Sequence, residues 1–378
     1  MTRRELLALA AATGPMTAAV TKTKPTAAVS IAQVTYHDDL TPIIGKMLDQ
    51  LGGIGRLVKN RTVTIKLNLT GAPSIRFEGK ALGVTPYSHP KTVMSMVHLL
   101  ARAGARRIRL VESAWGTAGP LEEYSMDSGW NIRQLNSLSP NLAFENTNAA
   151  GSFKKYTRFA VPNGGCILPA FDLNGAFHKT DVFMSMAKLK NHATCGVTLS
   201  MKNCFGNTPA PIYGDDAGLK EPNESPAKGH LDVCHYGKRQ PSACSPSEID
   251  AETSRSPEYR MPRIVADLNA ARPVEIAFID GIETVTGGEG PWVKGLNHFN
   301  PGVLLLGTNA VCTDAVATAV MSYNPQTLSK TAPFEVCDNH LKLAEAAGVG
   351  TCDLKQIGVV GAPIASVRVQ FPLVKARA

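Results

Sequence analysis

The chain has 378 residues, 44% of them hydrophobic and 19% charged, a globular composition that excludes a disordered or low-complexity protein. Lys and Arg number 39 against 31 for Asp and Glu, a formal net charge of +8. The excess is scattered, with no basic run and no interleaved aromatic platform, which argues against a nucleic-acid partner and for a small anionic ligand.

Arg3-Arg4 precede a short Ala-rich apolar stretch and small residues around Ala18-Ala19. That order is the pattern of a signal peptide over residues 1–26, and the arginine pair points to twin-arginine export and a periplasmic location. A cytoplasmic protein with residues 1–26 as an N-terminal arm is the alternative. The apolar run is too short for a transmembrane segment.

From residue 27 strand-like and helical stretches alternate. Residues 27–36 read as a strand, and residues 42–51 as a helix stopped by Gly52-Gly53. A strand at 62–69 is followed by a helix at 90–103, with Val93, Met96, Val97 and Leu100 on one face, and a strand at 107–112. This order predicts an α/β fold whose mostly parallel or mixed sheet is flanked by helices. The signal weakens over 116–163, then a hairpin is expected at 157–169 around Asn163-Gly164-Gly165. A strand at 181–186 and a short helix at 197–205 lead into a long polar insert, 207–260, rich in Pro, Ser, Asp and Lys. Such a stretch is expected to be a lid, a binding loop or a disordered insert. Helix 262–271, strands 274–280 and 303–306, helices 310–321 and 334–347, and strand 356–360 complete the pattern. With no repeat and no linker, residues 27–378 read as a single domain.

The densest chemistry lies in residues 184–206. Lys188, Lys190, Asn191 and His192 follow a predicted strand, and Lys202-Asn203 interrupts an apolar helix. Ligands of α/β sheets bind beyond the carboxyl ends of strands, where lysines hold a carboxylate or phosphate and a histidine exchanges a proton near neutral pH. His192, Lys190, Lys202 and Asp280 are therefore the expected catalytic groups. Lys66, Asn68, Lys188 and Asn203 are the expected substrate-binding ones. The plain alternative is that these lysines solvate a surface loop. His230, Glu289 in the turn Gly287-Gly288-Glu289-Gly290-Pro291, and Asp314 offer ligands for a possible divalent metal. Each has an ordinary reading as well: a surface histidine, a turn residue, and a carboxylate favoured at a helix N-terminus. His89 before Pro90 reads as a helix cap, and Glu112-Ser113 is a weaker member of the strand-end set.

The glycines lack dinucleotide or phosphate-loop spacing, so no nucleotide is expected. None of the eight cysteines forms a C-x-x-C pair, so no iron–sulfur cluster is expected either. They read as small buried hydrophobes, with Cys234 and Cys244 able to pair in an oxidising compartment.

Several of these elements recur in one order: Lys66-Leu67-Asn68, Gly104-Ala105, Val111-Glu112, Lys188-Leu189-Lys190-Asn191-His192 and Met201-Lys202-Asn203-Cys204-Phe205-Gly206. His230, Asp267-Leu268, Ile279-Asp280-Gly281, Glu289-Gly290-Pro291 and Thr313-Asp314 continue it. Together they resemble the bacterial and archaeal domain of unknown function 362 family over residues 60–361. Some relatives carry ferredoxin-type iron–sulfur modules, whose cysteine runs this chain lacks. The resemblance implies that the polar set belongs together and lends no reaction. The residues themselves point to an enzyme using acid–base or metal-assisted chemistry on a small anionic substrate. The alternative is a non-catalytic periplasmic protein for anion binding, cofactor binding or maturation.

Overall fold

The computed structural model describes residues 25–372, so all but the last two positions of the expected export signal lie outside the described residues. Eight segments pair into one mixed sheet: β1 (Val29–Gln33), β2 (Thr62–Lys66), β3 (Arg107–Glu112), β4 (Leu142–Asn146), β5 (Val182–Lys188), β6 (Ile276–Gly281), β7 (Val303–Gly307) and β8 (Val359–Gly361). Their spatial order is β8-β1-β7-β6-β5-β2-β3-β4. The row from β6 to β4 is parallel throughout, β7 runs against both its neighbours, and β1 and β8 are parallel to each other.

The central strands are covered on both faces, which is why they read as continuous apolar runs. Strand alternation sorts their side chains into two cores. Val63, Ile65, Met184, Met186, Ile276 and Phe278 join one, and Phe183, Ala187, Ala277, Ile279, Val303 and Leu305 the other. The first face is covered by α1 (Leu40–Gln50) and α2 (Pro90–Arg102), through Ile44, Met47, Val93 and Met96. Asp39 accepts from Thr41 N–H to begin α1, and His89 Nδ1 accepts from Lys91 N–H at 3.0 Å to begin α2, as expected of a residue preceding proline at a helix start. The second face carries α3 (Leu199–Asn203), α4 (Pro257–Ala271), α5 (Ala310–Val320) and α6 (His340–Ala346), through Met201, Val265, Val316 and Leu341. Each fully buried aliphatic side chain in these cores contributes roughly 1.5–3 kcal/mol.

Four expectations need correction. The helix expected over 334–347 begins only at His340, where Asn339 accepts from Leu341 and Lys342 N–H groups; Phe334 instead pairs with Thr331 in a turn. The weak stretch 116–163 contains two short helices, Leu121–Asp127 and Ile132–Ser137, and the edge strand β4. The hairpin is longer than predicted, pairing Thr157–Ala160 with Ala170–Leu173. The polar insert 207–260 has little regular structure, yet it is packed into the fold. Ile212, Tyr213, Val233 and Cys234 are buried, and Arg260 meets Glu248 at 2.5 Å with both side chains enclosed. All eight cysteines are free thiols, Cys234 and Cys244 included. No helix among the described residues is long and apolar enough to cross a membrane.

Candidate functional site

Because β2, β3, β5 and β6 are parallel, their carboxyl ends share one edge of the sheet, and Lys66, Glu112, Lys188 and Asp280 all stand there. Alternation then separates them. Lys188 and Asp280 are in step with Met186 and Phe278 and face the α1–α2 layer, whereas Lys66 is out of step with Ile65 and faces α3. Three adjoining groups line the edge, and nearly every member is buried.

The first group surrounds Lys188. Its ammonium lies 3.4 Å from Asp280 Oδ2 and donates to the Tyr36 hydroxyl at 3.1 Å and Gly83 O at 3.0 Å. Asp280 also accepts from Tyr36 at 2.7 Å, Thr92 at 3.2 Å and Ile282 N–H at 3.1 Å. Tyr36 stacks on His89 with ring centroids 3.7 Å apart. Burial holds Lys188 below the ordinary lysine range despite Asp280, and burial next to Asp280 raises the Tyr36 phenol. Burial, aided by Lys188, brings His89 down to about 4.

The second group surrounds Lys66, which pairs with Glu112 Oε1 at 2.5 Å and donates to Leu67 O at 2.7 Å. Glu112 Oε2 accepts from Leu69 N–H, while Asn203 bridges Lys66 to Ser185 on β5. Burial pushes Glu112 up to about 7 against the pull of Lys66. Gly206 packs so closely here that a Cβ would stand 2.6 Å from Lys66 Nζ. Asn68, just beyond β2, donates to Thr70 Oγ1 at 2.8 Å and keeps a buried Oδ1 with no hydrogen-bond donor.

The third group lies where the chain leaves β5. Lys190 donates to Pro86 O at 2.9 Å and Glu289 O at 3.2 Å, and burial lowers it to about 7. Glu289 accepts from Ala193 N–H at 2.9 Å and Trp292 Nε1 at 3.0 Å, and stands 3.9 Å from His192 Nδ1. Thr194 N–H donates to His192 Nδ1 at 3.1 Å, which leaves the proton of the neutral ring on Nε2. Lys202 differs from the other three lysines. It is 7% exposed, and its ammonium lies 4.5 Å from the Phe205 ring centroid and makes no hydrogen bond or ion pair among the described residues. Burial lowers its pKa.

Three histidines feel the Lys202 charge. His230 Nε2 meets Thr208 O at 3.1 Å, and burial brings this ring down to about 4. His235 Nδ1 meets His230 O at 2.9 Å and stands edge-on to Phe205; burial and then Lys202 depress it strongly. His340 is wholly buried, its ring nitrogens make no well-formed hydrogen bond, and burial takes it down to about 3. In all three, burial favours the neutral ring.

His230, Glu289 and Asp314, expected as metal ligands, are engaged separately. Asp314 accepts from Ser200 N–H at 2.9 Å and Met201 N–H at 2.8 Å, holding the first turn of α3, and burial raises it to about 8. Among the described residues no three His, Cys, Asp or Glu side chains are grouped to hold a metal ion. A cavity of about 900 Å³ lies elsewhere, bordered by Tyr156, Arg158, Asp172 and Glu221, and no expected site residue lines it.

Sequence reasoning missed Tyr36, His235, His340 and Trp292. His235 had one local signal: it closes Val233-Cys234-His235, an apolar interruption of a polar insert.

A family model described as Domain of unknown function (DUF362) matches residues 63–319, more than half of the chain. No curated protein matches it.

Proposed function

The chain belongs to the Domain of unknown function (DUF362) family, and from that premise and the site geometry we propose that it is an enzyme holding a small carboxylate or phosphate at Lys202 and moving a proton on it with His192. One observation carries this reading: Lys202 is a buried ammonium that faces the Phe205 ring and makes no hydrogen bond or ion pair among the described residues. A buried charge with no counter-charge in hydrogen-bond contact costs several kcal/mol, and although Glu289 acts on Lys202 from a distance, an anion in direct contact would offset that cost through charge-assisted hydrogen bonds. His192 has the chemistry of the proton carrier. When neutral it holds its proton on Nε2; to take the substrate proton it must release the Thr194 N–H and accept at Nδ1, and the imidazolium so formed has Glu289 Oε2 3.9 Å from Nδ1 to stabilise the charge. His235 and His340, held neutral, enclose the anion without adding charge. Lys190 acts through position, tying the Pro86 and Glu289 backbones together, while Lys66, Lys188, Asn203 and Asp280 fix the sheet edge beneath. The same reading has the protein exported, since Arg3-Arg4 precede a short apolar stretch.

The test has a binding arm and a turnover arm. Calorimetry at fixed ionic strength should show acetate or phosphate binding to the wild type and at least tenfold weaker binding to Lys202→Met. In D2O, a panel of small carboxylates with a C–H beside the carboxylate should reveal hydrogen exchange that His192→Gln abolishes while anion binding persists. Equal anion binding by wild type and Lys202→Met would end the reading. Binding with no exchange across the panel would replace the enzyme with the non-catalytic binding protein.

A further inference from the structure

The glycine-rich turn that carries Glu289 continues into Trp292, whose indole N–H donates to Glu289 Oε1 at 3.0 Å while Glu289 Oε2 accepts from Ala193 N–H at 2.9 Å. One carboxylate thus anchors both the indole and the loop that follows His192. Glu289 is also near enough to Lys202 to act on its charge. The six-membered ring of the indole lies against two glycines. A Cβ at Gly71 would stand 2.8 Å from Trp292 Cζ3, and one at Gly290 would stand 2.5 Å from Trp292 Cζ2, so neither position accepts even alanine without displacing the ring. Gly71 also has φ of +86°, a conformation that favours glycine. Yet Trp292 is 43% exposed. An indole pinned by a hydrogen bond and two glycine contacts has little rotamer entropy left to lose on binding, and its exposed surface gains from being covered.

We infer that the exposed surface of Trp292 is a stacking subsite for a planar apolar ring carried by the anion at Lys202, so that the substrate class is ring-bearing carboxylates or phosphates rather than bare small anions. The inference rests on the anion reading of Lys202. It adds a direction to it: the charged end sits at Lys202 and the ring lies toward the turn at 287–292. Offset stacking against an indole, with the apolar area it covers, corresponds to about tenfold in affinity.

Acetate and benzoate are the probes, titrated calorimetrically at equal ionic strength into wild type, Trp292→Ala, Trp292→Phe and Lys202→Met. Benzoate should bind the wild type about tenfold more tightly than acetate and quench tryptophan fluorescence. Trp292→Ala should bring benzoate down to the acetate level and leave acetate unchanged. Trp292→Phe should keep most of the preference, because it retains a ring while losing the bond to Glu289. That contrast separates stacking from the hydrogen bond. Equal binding of the two probes by the wild type, or equal weakening of both by Trp292→Ala, would overturn the subsite and leave the anion reading standing. Failure of both probes to bind the wild type, or full binding of both by Lys202→Met, would remove the anion reading and this inference with it.

Discussion

Asp280→Asn removes one charge from the pair at the ends of β5 and β6. The Lys188 side chain is 0% exposed, and its other contacts, the Tyr36 hydroxyl and Gly83 O, are neutral. The substitution therefore strands a buried ammonium among dipoles. Burial already holds Lys188 below the ordinary lysine range, so the cheapest relaxation is loss of its proton, which costs an ordinary lysine about 5 kcal/mol at pH 7. That figure is a ceiling. Removing one partner of a buried pair costs roughly 3–5 kcal/mol, and because Asn keeps an oxygen for Tyr36, about 3 kcal/mol is expected. Lys188→Met removes the stranded charge, so the double variant should be at least ~2 kcal/mol more stable than the sum of the single losses implies. Urea unfolding followed by circular dichroism at pH 7 measures all four proteins. The sign with pH follows from the same argument. In Asp280→Asn the folded state holds Lys188 neutral while the unfolded state binds the proton, so its stability deficit should shrink by up to about 1.4 kcal/mol per pH unit as pH rises above 7. Losses that add within ~0.5 kcal/mol, or a deficit that ignores pH, would refute the reasoning.

Lys190 is lowered by burial from 10.5 to about 7. A depressed lysine contributes stability that is present above its unfolded pKa and lost as pH falls through the folded one; relative to Lys190→Met, the wild type should therefore gain about 1.4 kcal/mol per unit between pH 7 and 10. Parallel pH–stability curves for the two proteins would show that Lys190 is charged in the fold after all. Replacing Arg3 and Arg4 with lysine should strand the protein in the cytoplasm, as twin-arginine export requires; a wild type found in the cytoplasmic fraction rejects the export assignment.

The sheet was legible where burial on both faces left no choice of residue. The strand expected at 107–112 has the observed bounds of β3, and β5 and β6 were found within a few residues. Edge strand β4 was not legible because Leu142, Ala143 and Phe144 are only half-buried, so no clean alternation or apolar run marks them. The helix expected at 334 failed for a different reason. Phe334, Cys337 and Leu341 are all buried at helical spacing, but the first two reach the core from turns. Among site residues the anomaly was visible: lysines inside apolar runs. Which of them had partners was not, since Lys66 finds Glu112 on the next strand and Lys188 finds Tyr36 and Asp280 from opposite ends of the chain. Alternation across the sheet, which put Lys66 and Lys188 on different faces, was implicit in the strand assignments. Strand order was needed to see its consequence. Asp314 resembled a ligand until its oxygens were found on the amides of α3, a contact between distant segments with no trace in either one's pattern.

Four lysines, Lys66, Lys188, Lys190 and Lys202, are buried along one edge of the sheet, and the fold compensates them unequally. Lys66 has Glu112, Lys188 has Asp280, and Lys190 has two backbone carbonyls. Lys202 has a ring. Unequal compensation is hard to explain by stability, because a methionine at position 202 would pack against Phe205 with no charge to desolvate. It is readily explained by binding. An ammonium that the fold has already stripped of most of its water spends little further desolvation energy when an anion arrives, and it does not have to be oriented at that moment. The neutral states of His230, His235 and His340 fit this logic. Three imidazolium rings beside Lys202 would have made the empty site prohibitively repulsive, whereas neutral rings add no positive charge to that of Lys202. On this argument Lys202→Met is the informative variant of the four lysines, since it alone is expected to lose the anion while the protein becomes more stable.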